Sequence, residues 1–248
     1  MRHYILTRSA YGPAWTPEAN RRRLDLTRAV TARLMAAQTS RNWTWIVLLD
    51  RRDPLYGERC AVYAAAAPTF VALPWTSPGP PAPRDRHAEA ISTIRGVAYM
   101  AYKAPWREAI GERDDRILMT RLDDDDGLAP DAIARYQAAA RRVTTGRAIL
   151  MLPSGVRVWR GLYADVRRPR NAMHTLITPP GDQACVYDYG HAKCERVAPI
   201  FMVDNAWGWL WVRHRDTISG GRTAGRPINS AVRATFPVDW KALRTAWS

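Results

Sequence analysis

Four times in the first 145 residues an apolar run of strand length gives way to a stretch of helical periodicity. That alternation restricts the chain to a mostly parallel sheet covered by helices on both faces. His3 to Thr7, Trp43 to Leu49, Thr69 to Leu73 and Ile117 to Met119 supply the strands. After the first strand, Thr16 as N-cap, Pro17 at the first helical position and Glu18 in the first turn mark a helix start. Leu26, Val30, Leu34 and Ala37 then recur on one face, and Arg21, Arg22, Arg23, Arg28 and Arg33 read as a solvated surface largely off it. Pro54 to Ala66, Arg86 to Tyr102 and Pro130 to Val143 are the remaining helices, and Pro74 to Pro83, with five prolines, is a surface loop.

The fourth strand ends abruptly in Asp123, Asp124, Asp125 and Asp126. Adjacent carboxylates repel one another unless they point into water or share a hard cation, and Mg²⁺ and Mn²⁺ prefer oxygen ligands. An isolated charge run is commonly a solvated loop. This one directly follows an apolar strand and directly precedes a helix, and open α/β sheets bind ligands at the carboxyl ends of their strands. A calcium EF-hand loop fits poorly, since Leu122 occupies its first acidic position. An aspartyl phosphatase motif also fits poorly, because the run lies in mid-chain and Leu128 stands where that motif keeps a threonine or valine. The expectation is a metal-assisted site for a phosphorylated ligand. Asp50, which stops the second strand, is placed to bond a ribose or a base edge or to act as a turn residue.

The net charge of +14 favours anionic partners. Cys60, Cys185 and Cys194 form no CxxC pair and leave an odd count, which points to reduced thiols and a cytoplasmic protein. No signal-peptide pattern is present, and no apolar run approaches the roughly 18 residues of a transmembrane segment.

Beyond residue 145 the pattern changes to short strands, from Arg147 to Leu152, Val156 to Tyr163, Thr175 to Thr178 and Cys185 to Tyr189. A Ser154-Gly155 turn between the first two suggests antiparallel hairpins. Trp207 to His214 alternates with period two, placing Trp207, Trp209, Trp211 and Arg213 on one face and His214 on the other. The tryptophans serve either as core or as a stacking platform for sugar rings. Ser219 to Arg226 is a basic loop suited to closing over a pyrophosphate.

These residues carry a resemblance. His3-Tyr4-Ile5-Leu6-Thr7-Arg8, the segment Ala37 to Trp45 leading to Leu48-Leu49-Asp50, and Thr120-Arg121-Leu122-Asp123-Asp124-Asp125-Asp126 together resemble the "putative rhamnosyltransferase" family, a branch of the GT-A glycosyltransferases. Pro180-Gly181-Asp182, Tyr189 to Lys193 and Trp211 to His214 add shorter matches. The resemblance implies one GT-A (Rossmann-like) α/β domain over residues 1–248, with a nucleotide-sugar-binding half at 1–145 and an acceptor-side half at 146–248 carrying the basic loop and tail. It implies a nucleoside-diphosphate sugar donor, with dTDP-rhamnose suggested by the name and UDP or GDP donors also open, held on a bound Mn²⁺ or Mg²⁺ by a DxD motif, here Asp123 and Asp125 with Asp126 close by. Arg8, Asp50, Arg95, Asp123 and Asp124 would contact the nucleotide sugar, and Asp125, Asp126 and His214 would hold the metal.

The sequence departs from the family in reading four acids where relatives read Asn-Asp-Asp, and in lacking a glutamate near the end of Asn171 to Thr178. The base that takes the acceptor proton in an inverting transfer is therefore assigned to Asp182, with Asp204 next. The acceptor is a glycan, a lipid-linked sugar, a small molecule or a protein. Two other functions use the same features. A nucleotidyltransferase would place the Asp-bound metal on a nucleoside triphosphate, but Arg8 to Pro13 is a poor phosphate loop. Nucleic-acid binding would account for the basic charge and the tryptophans, but not for four acids that repel phosphates.

Overall fold

The structure is a computed structural model, and it describes residues 1–9, 16–75, 103–144, 146–214 and 225–247. The expected helix from Arg86 to Tyr102, with Arg95, and most of the Ser219 to Arg226 loop lie outside the described residues.

Strands β1 (Arg2–Arg8), β2 (Thr44–Asp50), β3 (Phe70–Trp75) and β4 (Ile117–Arg121) pair in parallel in the order β4-β1-β2-β3. This is the alternating pattern expected from the sequence. Their apolar runs are continuous because both faces of the sheet are covered. Ile5, Trp45, Val47 and Leu118 face one core cluster, while Tyr4, Leu6, Ile46, Leu48, Ile117 and Met119 face the other. Pro74 is tolerated because β3 is the edge strand.

The first helical run begins as the cap predicts, with the Thr16 hydroxyl accepting from the Ala19 N–H at 3.2 Å. It is not one uniform helix. An α-helix, α1 (Pro17–Leu26), passes through a π turn at Thr27–Thr31 into a short α2 (Ala32–Ala36). Tyr56–Ala66 forms α3, Lys103–Ile110 forms α4 and Ala132–Arg142 forms α5.

In the second half, β6 (Ala148–Met151), β9 (Thr175–Thr178) and β10 (Ile200–Met202) extend the sheet to seven strands in the order β10-β6-β9-β4-β1-β2-β3. Only β9 runs against its neighbours β4 and β6. A second sheet contains β5 (Gly127–Leu128), β7 (Ser154–Trp159), β8 (Leu162–Arg167), β11 (Trp207–Val212) and β12 (Arg226–Pro227), ordered β12-β8-β7-β11-β5. Two helices, α6 (Ser230–Thr235) and α7 (Trp240–Trp247), follow β12.

Two expectations for this half are corrected, and for the tryptophan face the core alternative holds at Trp209. Ser154-Gly155 is no hairpin turn, since β6 and β7 enter different sheets. The hairpin is instead β7–β8, closed by Arg160 (φ 46°) and Gly161 (φ 80°), the two left-handed positions that a two-residue turn needs. Cys185 to Tyr189 is a turn rather than a strand. The tryptophan face of β11 is not an open platform: Trp209 is buried, its Nε1 donates to the Leu152 carbonyl at 2.9 Å, and its ring lies against Gly155 so closely that a Cβ there would sit 2.1 Å from it. Among the described residues no helix is long and apolar enough to cross a membrane.

Candidate active site

Because β1, β2 and β4 are parallel, their carboxyl ends share one edge, and Arg8, Ser9, Asp50 and the Asp123–Asp126 run all leave from it. The second sheet adds a late residue to that edge. β5 follows the acidic run immediately and pairs antiparallel with β11 at Leu210↔Gly127, so His214, two residues past β11, arrives beside Asp125. Its Nε2 lies 2.9 Å from Asp125 Oδ2. The juxtaposition of His214 with the run expected from the sequence is therefore present.

The four carboxylates have four different environments. Asp123 is the accessible one, with 28% of its side chain exposed, and it lies 3.7 Å from Arg8 and 3.3 Å from Arg121. Desolvation alone would raise its pKa, but the Arg121 and Arg8 guanidinia hold it well below the usual carboxylate range. The Arg8 and Arg121 guanidinia also sit over the Tyr187 ring, 4.9 and 5.2 Å from its centroid respectively. Asp124 is completely buried. It accepts from Ser9 Oγ at 2.8 Å and takes both Nε and Nη2 of Arg23, at 2.9 and 2.5 Å. Asp125 Oδ2 accepts from Arg23 Nη1 at 2.6 Å. Desolvation opposes its ionisation, but Arg23 and His214 overcome this and keep its pKa low. Asp126 accepts from the Val212 N–H at 3.1 Å, and burial together with the neighbouring Asp125 and Asp123 charges pushes its pKa well above the ordinary value.

Arg23 holds this arrangement together. It lies on α1, is only 8% exposed, and spreads its fork over Asp124 and Asp125. The Thr27 hydroxyl, on the first residue of the π turn, donates to the Asp124 carbonyl at 2.9 Å and ties the helix to the run. The expectation that Arg23 is a solvated residue is overturned. The mutual repulsion of the run is relieved by Arg8, Arg23 and Arg121, which balance Asp123, Asp124 and Asp125, and by the raised pKa of Asp126.

The expected metal can be tested against these donors. Asp125 Oδ2 and His214 Nε2 are 2.9 Å apart, a spacing compatible with two neighbouring ligands of one ion. Arg23 Nη1, however, lies 2.6 Å from the first and 3.1 Å from the second. The single Nε2 either donates to Asp125 or accepts from Arg23. A metal–oxygen bond of about 2.1 Å would keep a dication on Oδ2 within about 4.7 Å of Nη1. At that distance the two cations compete for the same carboxylate oxygen. Arg23 cannot swing aside freely, because Asp124 pins its other two nitrogens. Among the described residues no group of three metal-ligating side chains converges. The donor set therefore does not fit a divalent ion at Asp125, Asp126 and His214 as it stands.

The remaining expected residues are distributed as follows. Arg8 and Asp123 meet at the open part of the edge. Asp50 is on the same edge, buried, with its two oxygens engaged by Arg52 Nε at 3.0 Å and Nη2 at 2.7 Å. Asp182 is not at this edge. It follows β9, whose Thr178 pairs with Ile117, the first residue of β4, so it lies at the amino edge of the sheet. The five residues of β4 span about 16 Å at about 3.3 Å each, and that length separates Asp182 from the run. It is paired with Arg147, and its backbone carbonyl accepts from Arg113 at 2.7 Å. The assignment of Asp182 as catalytic base is withdrawn on this ground. Asp204, the second choice, is bound by both sides of the Arg135 fork ahead of β11.

His174 is buried beside Arg121. Its carbonyl accepts from the Arg121 N–H at 3.1 Å, and its Nε2 is 3.2 Å from the Tyr189 hydroxyl.

A family model described as "putative rhamnosyl transferase" matches residues 11–226 of this chain. The chain belongs to that glycosyltransferase family. S. aureus TarS 1–349 in complex with UDP-GlcNAc superposes with a TM-score of 0.52 at 10% identity, covering 90% of this chain and 62% of that one. The mouse xyloside xylosyltransferase 1 apo structure gives 0.42 at 9% identity, covering 82% of this chain and 86% of its own. At such identity the likeness to TarS is one of fold, and the fold is GT-A-like. The chain spans about three fifths of the length of TarS 1–349. No curated protein sequence matches it.

Proposed function

We propose that this member of the family transfers a sugar, with rhamnose the first candidate, from a nucleoside-diphosphate donor to an acceptor hydroxyl at the carboxyl edge of β1, β2 and β4. The observation that carries this reading is Asp123 set between Arg8 and Arg121 at the open part of that edge. Guanidinium groups bind phosphate oxygens bidentately, so Arg8 and Arg121 supply the positive charge that a leaving diphosphate requires. Asp123 accepts hydroxyls of the donor sugar or ribose, and Asp50 stands at the neighbouring strand end toward the nucleoside. Asp124 offers no surface to a ligand and acts as the anchor for Arg23. TarS was crystallised with UDP-GlcNAc, a ligand of the proposed chemical class.

Arg23 already engages Asp125 Oδ2 and His214 Nε2, so Arg8 and Arg121 are assigned the stabilisation of the leaving diphosphate. The test is calorimetry against dTDP, UDP and GDP, followed by release of the diphosphate from the matching donor. One nucleoside diphosphate is expected to bind, and Arg121→Ala is expected to weaken it at least tenfold, about 1.4 kcal/mol. If none of the three binds, the donor site is misassigned.

A further inference from the structure

We propose that Arg23 is the resident cation of this site: its guanidinium closes the Asp125–His214 pair where a divalent ion would otherwise be held, so the donor diphosphate binds through arginines without metal.

Three observations support this. The first is the engagement of two of the candidate ligand atoms by one nitrogen, with Arg23 Nη1 at 2.6 Å from Asp125 Oδ2 and 3.1 Å from His214 Nε2. The second is that Arg23 is built in. Asp124 takes its Nε and Nη2, Ser9 and Thr27 fix Asp124 in turn, and the whole assembly is buried. A buried charge that loses its partner is strongly destabilising, so metal entry at this pair must work against the fold itself. The third is that the carboxylates of the run already have cationic partners: the Arg23 charge lies between Asp124 and Asp125, and Arg8 and Arg121 flank Asp123. Arg23 is thus a positioning residue. It orients Asp125 and His214, while Arg8 and Arg121 meet the phosphates.

The proposal rests on the donor reading in only one arm of its test. In the first arm, Mn²⁺ is titrated into the full chain without nucleotide and the free-ion signal is followed by electron paramagnetic resonance. Wild type is expected to leave the signal unchanged. Arg23→Met, checked for folding by circular dichroism, is expected to remove one Mn²⁺ per chain, and Asp125→Asn in that background to restore the signal. Should Arg23→Met not fold, Arg23→Lys, which keeps the charge but loses the fork, takes its place and is expected to gain weaker Mn²⁺ binding. In the second arm, calorimetry with the nucleoside diphosphate is run in Mn²⁺ and in EDTA, and the affinity of wild type is expected to change by less than about threefold. Retention of one Mn²⁺ by wild type, a tenfold or larger loss of nucleotide affinity in EDTA, or a folded Arg23→Met that binds no Mn²⁺ overturns the proposal. If no nucleotide binds under either condition the donor reading fails, and the Mn²⁺ arm still decides the role of Arg23.

Discussion

Asp123 and Asp124 are adjacent in sequence, yet the structure assigns them opposite duties, and replacing each by alanine separates the two. Asp124→Ala removes the partner of two Arg23 nitrogens and of Ser9 Oγ in a position with no solvent access. Breaking a buried pair from one side costs about 3–5 kcal/mol, since the remaining charge cannot rehydrate. Arg23 keeps Asp125, which places the expected loss toward the lower end of that range. For a chain of 248 residues each kcal/mol shifts Tm by about 2–4 °C, so the variant is expected to melt about 6–12 °C lower. Asp123→Ala breaks only contacts of 3.3 and 3.7 Å at a partly exposed carboxylate. Pairs of that kind are worth about 0–1 kcal/mol, so Tm should move by no more than about 4 °C. Donor turnover should show the reverse order: Asp123→Ala loses activity while fully folded, and Asp124→Ala retains part of it below its melting point. Differential scanning calorimetry and donor hydrolysis on the same preparations measure both. Equal Tm losses, or a larger loss for Asp123→Ala, would refute this division of labour between the two carboxylates.

Two further outcomes follow from burial and placement. His3 and His174 are buried, and burial pushes each pKa from 6.5 down to about 3. A depressed folded-state value means the unfolded chain takes up protons first. The stabilisation from keeping these rings neutral is therefore complete above pH 6.5 and is lost as pH falls toward 3, at up to about 2.7 kcal/mol per pH unit for the two rings. Urea unfolding between pH 7 and 4.5 checks this, and a His174→Asn variant should lose about half the slope; a flat profile would sink the argument. Asp182→Ala should leave kcat/KM within about twofold of wild type, because the residue lies at the opposite edge of the sheet; a loss of a hundredfold or more would return it to the reaction.

The parallel core was legible in the sequence because its strands are short apolar runs bounded by unambiguous helix starts, with Thr16-Pro17-Glu18 the clearest. The strand that carries the acidic run was legible for the same reason, and strand polarity then fixed the edge to which Arg8, Asp50 and Asp123 belong. The second half was less legible. Period-two patterns indicate that strands exist but not which sheet receives them, and the assignment of β6 and β7 to different sheets depends on long-range pairing with β9 and β11. Asp182 was misplaced for a related reason. Its Pro-Gly turn was recognised, but the antiparallel register of β9 on β4, which sends that turn to the far edge, has no local signature.

Arg23 is the more instructive miss, because a signal did exist. It stands three residues before Leu26 and seven before Val30, so it belongs to the apolar face of its helix, and only its charge argued for solvent. Arginine on a buried face requires a buried acid. The chain has one conspicuous surplus of acids, about a hundred residues away, and each anomaly is the answer to the other. A cluster of carboxylates at a strand end is therefore not by itself a request for metal. Whether one is needed depends on how many cations the fold delivers to the same point, and here three helix and strand arginines reach it first.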